Sequence, residues 1–376
     1  MKRLVLAGGG HAHLHVLKSL VNRRCPDVEI VLISPYARQV YSGMLPGWMA
    51  GHYSLEQCIV PLGPLAEAAQ VRFIRDSVVG LDADRRIVHT AHSGDIAYDL
   101  LSLDIGANID ESRLILTGAI SLPIRPMEDF ITGWSECLGR CLKNRQAKLV
   151  IVGGGAGGVE LAFAAQHRFS QAIGAMKTRI SLITGRGLLA GHGKSVIACV
   201  RRHLKASAIS LVEGYATGSA NGLILDGGTE LPADYVISAT GAAPAPWLAK
   251  SGLKLAPDGF VAVGKGQQSL SHENIFAAGD IASRIDTPHP KSGVYAVRAG
   301  PVLVRNIERA LSGQVPVPYQ PQKRSLYLLA TGPKHAIMSW NGFCASGDWI
   351  WRWKDWIDRR FMRQYHSGNG TGEEVS

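Results

Sequence analysis

The sequence predicts an α/β protein of two equivalent halves followed by a C-terminal α+β module, because one pattern occurs twice and a tryptophan-rich segment comes after it. The pattern is a short apolar strand, a glycine turn and a helix. In the first copy Arg3–Ala7 reads as the strand, Gly8-Gly9-Gly10-His11-Ala12-His13 as the turn, Leu14–Val21 as the helix and Val28–Ile33 as the next strand. In the second, the same roles fall to Ala147–Val152, Gly153–Gly158, Val159–Phe169 and Arg179–Thr184. A strand feeding a helix through GxGxxG turns backbone N–H groups and the positive helix end toward a pyrophosphate, since glycine alone permits the tight turn and close approach. Gly153, Gly155 and Gly158 fit the whole pattern; in the first copy Gly8 and Gly10 fit, and His13 stands where the third glycine belongs. Two such turns predict two Rossmann-like dinucleotide-binding domains.

The remaining elements extend both halves. Val71–Ile74, Ser77–Leu81, Arg86–Thr90 and Ile96–Ser102 predict a β-meander, matched after the second unit by Ile209–Glu213, Ala216–Ala220, Gly222–Leu225 and Glu230–Ile237. Val261–Val263, Asn274–Asp280 and a long helix over Gly293–Leu311 follow. Ser325–Ala330 and His335–Ser339 read as a hairpin, and five of the eight tryptophans fall between Trp340 and Trp356, which sets this end apart.

Composition narrows the class. With 376 residues the chain exceeds one average domain of roughly 150. Hydrophobic residues at 46% and charged ones at 19% suit a large core and exclude disorder, save for a tail after Tyr365 that reads as frayed. A net charge of +10 favours acidic partners without choosing among nucleotide, anionic lipid and nucleic acid. Six cysteines form neither a disulfide framework nor a CxxC knuckle, which predicts a reducing, cytoplasmic setting. The apolar run after Met1-Lys2-Arg3 stops at Gly8, so no signal peptide is predicted, and no membrane-spanning run is present. His11, His13 and His15 alternate, but on a turn and helix start their side chains diverge, so no metal site is predicted.

Gly8-x-Gly10, Leu103-Asp104-Ile105-Gly106-Ala107, Gly153-x-Gly155-x-x-Gly158 with Glu160, Ala239-Thr240-Gly241 and Ala278-Gly279-Asp280 occur in an order that resembles the pyridine nucleotide-disulfide oxidoreductases. These two-dinucleotide-binding-domain flavoproteins include type II NADH dehydrogenases and sulfide:quinone oxidoreductases. Gly8–His13, Tyr41–Gly47 and Trp351–Phe361 are most similar to the NADH-dehydrogenase-like FAD protein often fused to selenide, water dikinase. The resemblance covers residues 1 to about 320 and implies a discontinuous FAD-binding domain at 1–118 and 260–318, an inserted NAD(P)H-binding domain at 119–259, and a module at 319–376. It implies FAD on Gly8, Gly10, His11, Ala12, His13, Ser34, Gly106 and Asp280, with Asp280 holding the ribityl or pyrophosphate region. NADH or NADPH would lie on Gly153, Gly155, Gly158, Arg186 and Gly241. Glu160, near the meeting of nicotinamide and flavin, and Lys291, ahead of a helix whose positive end faces the flavin pyrimidine, are the candidate catalytic residues. The plainer readings are a helix-start carboxylate and a surface lysine.

The sequence also departs from the family. The strands after the glycine turns end in Ser34 and in Thr184-Gly185-Arg186 rather than in a ribose-binding acid, so Arg186 either pairs the 2′-phosphate of NADPH or is a solvated loop residue. No cysteine lies in Pro35–Tyr53, which argues against disulfide reduction, and Cys137 and Cys141 read as buried thiols. Sulfide:quinone chemistry would rest on Cys344 without an evident partner. Arg298-Ala299-Gly300 replaces the glutamine pair of type II dehydrogenases.

From Asp348 to Tyr365 a helical projection gathers Trp349, Ile350, Trp353, Trp356, Ile357 and Phe361 on one arc, with Trp351 and Met362 on the polar side. Lys323 to Tyr365 carries eight Lys or Arg against three Asp. Such a helix either lies in a membrane interface, peripheral on the cytoplasmic face, or covers the flavin domain or a second subunit of a homodimer. No groove-reading motif accompanies the charge, so nucleic acid is not expected as a partner. The function expected is an FAD-dependent oxidoreductase passing hydride from NAD(P)H to flavin and electrons to a quinone or other small acceptor. The alternatives are a flavin-bearing interaction protein with weak turnover and a sulfide:quinone oxidoreductase.

Overall fold

A computed structural model describes residues 1–23, 25, 27–173 and 177–366, so the tail from 367 onward, read as frayed, lies outside the described residues. Apolar runs without alternation become strands buried on both faces, and these form two parallel sheets. The first takes β1 (Lys2–Ala7), β2 (Val28–Ile33), β3 (Arg72–Ile74) and β4 (Leu100–Leu103). The chain then leaves to build β5 (Ile120–Pro123), β6 (Gln146–Val152), β7 (Lys177–Thr184), β8 (Ile209–Glu213) and β9 (Tyr235–Ser238), and returns to the first sheet with β10 (Ile275–Ala277). The strand orders are β10-β4-β1-β2-β3 and β5-β9-β6-β7-β8, and the second unit is inserted in the first. All pairings within them are parallel. Beside β1 and beside β6 the order reverses, so a crevice opens at the carboxyl end of each, where the glycine turns lie.

The predicted meanders are divided differently. Val71–Ile74 and Ile209–Glu213 join the parallel sheets as β3 and β8. Ile96–Ser102 and Glu230–Ile237 each split in two: Asp95–Ala97 and Glu230–Pro232 close small antiparallel sheets, while β4 and β9 enter the main sheets. β4 and β9 are buried at every position, which a parallel sheet covered on both faces requires.

The long helices before the C-terminal module are α1 (His11–Asn22), α2 (Met127–Asn144), α3 (Ala156–Ile173), α4 (Lys194–Ala206) and α5 (Gly293–Leu311). α1 and α3 begin earlier than predicted, at His11 and Ala156, because the turn's own carbonyls already accept helical bonds: Leu14 N–H donates to Gly10 at 3.1 Å and Val159 N–H to Gly155 at 3.0 Å. α1 packs on α5, where Gly300 lies so close to the His15 ring that a Cβ would not fit. That contact accounts for the glycine in Arg298-Ala299-Gly300.

At the C-terminus β11 (Tyr327–Ala330), β12 (Ala336–Trp340) and β13 (Phe343–Gly347) form an antiparallel sheet with one strand more than predicted, and α6 (Asp348–His366) follows. The predicted apolar arc of α6 needs correction. Ile350, Trp351, Asp358, Phe361, Met362 and Tyr365 are buried, whereas Trp349, Trp353 and Trp356 are 56, 38 and 50% exposed. Inside, Phe361 of the helix meets the rings of His11, His15 and Tyr41, and Asp355 accepts the Tyr53 hydroxyl, so hydrophobicity alone does not select the inward stripe. These tryptophans are left outside, and Trp340 and Phe343 of the sheet are exposed as well.

Burial pushes the imidazoles of His11, His13 and His15 down from 6.5 to about 4. The unfolded chain takes up these protons below about 6.5, so this part of the stability is lost as pH falls from 6.5 toward 4. Asp104, raised by burial from 3.8 to about 7, acts with the opposite sign: its contribution is lost as pH rises through that window. Replacing His15 with Leu is therefore expected to make the acid-side loss of stability shallower by one proton, about 1.4 kcal/mol per pH unit. Urea midpoints measured between about pH 6.5 and 4.5 check it, and an unchanged slope counts against a neutral buried His15.

Candidate functional site

The first glycine turn is built around Asp104, at the end of β4. Gly8 has φ +94° and donates its N–H to Ile33 O at 2.8 Å; a Cβ on it would strike the Asp104 backbone, and one on Gly10 would strike the Asp104 carboxyl. Gly10 N–H donates to Asp104 O at 3.1 Å, and Asp104 Oδ2 accepts the N–H groups of Ala12 at 2.8 Å and His13 at 2.9 Å. Burial raises the Asp104 carboxyl to about 7 against the pull of those two N–H bonds. Ala12 and His13 were expected to face the cofactor; instead their N–H groups are spent on Asp104. The His13 ring is fully buried, with Nδ1 2.6 Å from Gly8 O and Nε2 2.8 Å from Ser102 Oγ. Where a glycine would bring helix and strand together by absence, His13 ties α1 to β1 and β4 by its side chain.

The N–H groups of Gly9 and His11 are not spent in this way. His11 Nε2 is buried without a partner, and burial lowers its imidazole against the nearby Asp280 charge. Gly106 has φ +75° and open space where a Cβ would be. Ser34, buried at the end of β2, turns its hydroxyl to Tyr36 O at 3.4 Å. Asp280, in the turn after β10, pairs with Arg125 Nη2 at 2.6 Å and borders the same small cavity as Ser292, Tyr295 and Ala296 at the start of α5. Lys291 donates to Ala282 O and Ser283 Oγ, both at 3.0 Å, and lies over the Phe260 ring; burial lowers its pKa against Asp258 and Asp280. It thus braces the strand after the Asp280 turn. Asp104 and Arg125 were missed as site residues. Asp104 stood inside a recognised motif, whereas Arg125 pairs across 155 positions and has no local signal.

The second turn repeats the design. Gly153 has φ +139°, a Cβ there would strike Ala239 O, and one on Gly158 would strike Gly153 O. Gly155 and Gly241 face open space. At the end of β7 Thr184 is buried with its hydroxyl unpartnered, and Arg186 beyond it is exposed.

Glu160, on the first turns of α3, accepts the Ala330 N–H at 2.9 Å; burial raises its carboxyl while Lys354 of α6 opposes that. Lys354 Nζ donates to Gly43 O at 2.7 Å and to Asp358 Oδ2 at 2.9 Å. Burial works against its ammonium, but Asp358 and Glu160 outweigh burial and hold its pKa above the ordinary lysine value. Beside them Tyr41 stacks on Phe361 with ring centroids 4.4 Å apart, and burial and then Asp358 raise its phenol. Tyr53 Oη donates to Asp355 at 2.7 Å. The arrangement joins the second unit, the Tyr41–Gly47 segment and α6 in one enclosed polar cluster. Sequence reading named Glu160 but not Lys354 or Asp358, which a helical projection places among surface charges. Among the described residues no group of histidine, cysteine, aspartate and glutamate could hold a metal ion.

Comparison with known proteins gives the same frame. A family model described as pyridine nucleotide-disulphide oxidoreductase matches residues 2–300. An internal alternative NAD(P)H-ubiquinone oxidoreductase A1 of Arabidopsis thaliana mitochondria is 25% identical over 320 residues, 76% of this chain and 62% of that protein, so the match spans under two thirds of the relative. Two solved structures share the fold. NDH2 from Plasmodium falciparum in complex with NADH has a TM-score of 0.81 at 13% identity, covering 97% of this chain and 98% of that one. The sulfide:quinone oxidoreductase from Aquifex aeolicus has 0.79 at 20%, covering 98% and 92%.

In the second turn Gly155 is open and Gly158 is packed against backbone, so substitution should affect them differently. Gly158→Val is expected to lower the melting temperature by more than about 10 °C, through a clash with backbone that cannot move aside. Gly155→Val should leave it nearly unchanged. Thermal melts of both variants check this, and equal losses would mean that Gly155 is also packed.

Proposed function

The chain belongs to the pyridine nucleotide-disulphide oxidoreductase family and is an oxidoreductase with FAD and NAD(P)H as cofactors, and from that premise we propose that it passes electrons from NADH or NADPH to a quinone or similar small acceptor. The observation that carries this reading is the pair of glycine turns at two switch points, each with a buried polar side chain lacking a protein partner beside it, His11 and Thr184. Such orphaned groups fit a bound dinucleotide, because a buried polar atom without a partner costs about 1–3 kcal/mol. We take 1–118 with 260–318 as the FAD unit, 119–259 as the NAD(P)H unit and 319–376 as the acceptor-side module.

In this reading the Gly9 and His11 N–H groups and the positive end of α1 hold the FAD pyrophosphate, while Asp280 and Arg125 meet its ribityl and phosphate groups. Ser34 and Gly106 line the same groove. Gly153, Gly155, Gly158 and Gly241 admit the nicotinamide dinucleotide, with the Thr184 hydroxyl toward the ribose and Arg186 placed for a 2′-phosphate. A bound FAD would supply the two-electron redox chemistry between NAD(P)H and the acceptor. On the acceptor side, Glu160 and Lys354 are the titratable groups beside the Tyr41–Phe361 cluster, placed to deliver protons to a quinone being reduced. Lys291 and the start of α5 add positive charge beside Asp280.

The exposed Trp340, Phe343, Trp349, Trp353 and Trp356, with exposed Arg352 and Arg360 among them, form the face we assign to an anionic membrane surface. No helix among the described residues is long and apolar enough to cross a membrane, so this contact would be peripheral, on the cytoplasmic side in our reading.

Anaerobic addition of NADH, and separately NADPH, should bleach the flavin band at about 450 nm, and a short-chain quinone should restore it. A spectrum that stays oxidised with both donors overturns the reading. Asp280→Ala is expected to weaken FAD binding at least about tenfold, the worth of one charge-assisted hydrogen bond. Trp353→Ser with Trp356→Ser should reduce co-sedimentation with anionic vesicles while leaving flavin bleaching unchanged; equal sedimentation would remove the membrane assignment.

A further inference from the structure

Away from both turns, two cysteines distant in sequence lie on elements that pack together, where α4 of the second unit meets the C-terminal sheet. Cys199 lies on the inner face of α4, buried in the core of that unit, and Cys344 on β13 packs against the same core. The junction is fixed on both sides: Ser195 Oγ donates to Gly342 O at 2.9 Å, and His192 Nδ1 is 2.9 Å from Ser339 Oγ. Ser339 is the cross-strand neighbour of Cys344, which sets both on the face toward α4. His203, one turn after Cys199, has Nδ1 2.9 Å from Cys199 O and 3.7 Å from Cys199 Sγ, and its ring stacks on His335 with centroids 5.1 Å apart. An N–H held by that carbonyl is also placed to bond a thiolate on Cys199.

We propose that Cys199 and Cys344 are a redox-active dithiol that small-molecule disulfides of the glutathione class oxidise to an intrachain disulfide. The Cys199 thiol gives its proton to solvent, and the thiolate, bonded by His203, attacks one sulfur of the small disulfide. That S–S bond breaks and one small thiol leaves. The Cys344 sulfur then attacks the Cys199 sulfur of the mixed disulfide, forming the protein S–S bond and expelling the second small thiol. The cysteine pair loses two electrons and two protons, and the small disulfide becomes two thiols. Burial and then contact with the Cys199 thiol push the Cys344 thiol up to about 11, with Arg202 opposing, so Cys344 keeps its proton until the mixed disulfide forms. The product would tether the second unit to the strand that runs through Gly347 straight into α6, the helix carrying Lys354. Cys137 and Cys141, one turn apart on α2, lack such a junction between units.

The test is peptide mapping of the full-length protein after incubation with oxidised glutathione and alkylation without reductant. The expected result is a linked peptide pair containing Cys199 and Cys344, lost on adding dithiothreitol and kept when Cys137 and Cys141 are both changed to Ser. Cys344→Ser should trap a glutathione adduct on Cys199. If all six cysteines still alkylate after oxidation, or if the only disulfide joins Cys137 to Cys141, the proposal is wrong. It is equally wrong if the wild-type protein ends as a stable adduct on Cys344.

Discussion

The grip of the Asp104 carboxylate on the start of α1 is the contact on which the first half of the molecule depends. A helix start leaves four backbone N–H groups without intrahelical partners. Asp104 takes two of them, and its own carbonyl takes the Gly10 N–H. Each N–H bond to a charged acceptor is worth about 1.5–3 kcal/mol, and the positive end of the helix adds to it. The cost is a carboxylate with almost no access to water, expressed as a pKa raised to about 7. The gain is geometric. With β1, β4 and α1 locked together, the remaining turn N–H groups and the orphaned His11 nitrogen have fixed positions at the crevice between β1 and β4. His13 completes the lock by spanning from Gly8 to Ser102.

A second constraint joins the C-terminal module to the second unit. α6 buries charge as well as hydrocarbon: Lys354 and Asp358 point inward, bonded to each other and to Gly43, and Lys354 acts electrostatically on Glu160 of α3. Buried charges of this kind persist only when each finds a partner. Their partners come from three parts of the chain, so the cluster exists only when those parts are assembled. Turning that stripe inward turns the tryptophans outward, and one packing decision therefore produces both the enclosed polar cluster and the exposed aromatic face.

Much of the frame was legible in the sequence because it rests on local chemistry. The strand–glycine–helix pattern needs only neighbouring residues, and Gly8, Gly153 and Gly158 are glycines for reasons of backbone conformation and clearance that any sequence with that turn must meet. The order of the motifs that contain Gly106, Gly241 and Asp280 carried the family resemblance, and the resemblance implied insertion of one unit in the other. Reading failed where a residue's role depends on what packs against it. His13 stands where the motif has glycine and is a clamp; Ala12 reads as an FAD contact, and its N–H bonds Asp104. Arg125 has no local signal and pairs Asp280 across 155 positions.

The sequence by itself determined the two βαβ units, their order and the type of cofactor they suit, since periodicity, glycine conformation and helix-end charge act over a few residues. Tertiary structure decided which carboxylates and lysines face inward, which side of α6 is buried and which cysteines lie on elements that pack together. Those choices depend on partners contributed by distant segments, and burial of a polar group is tolerable only where the folded chain supplies its partner.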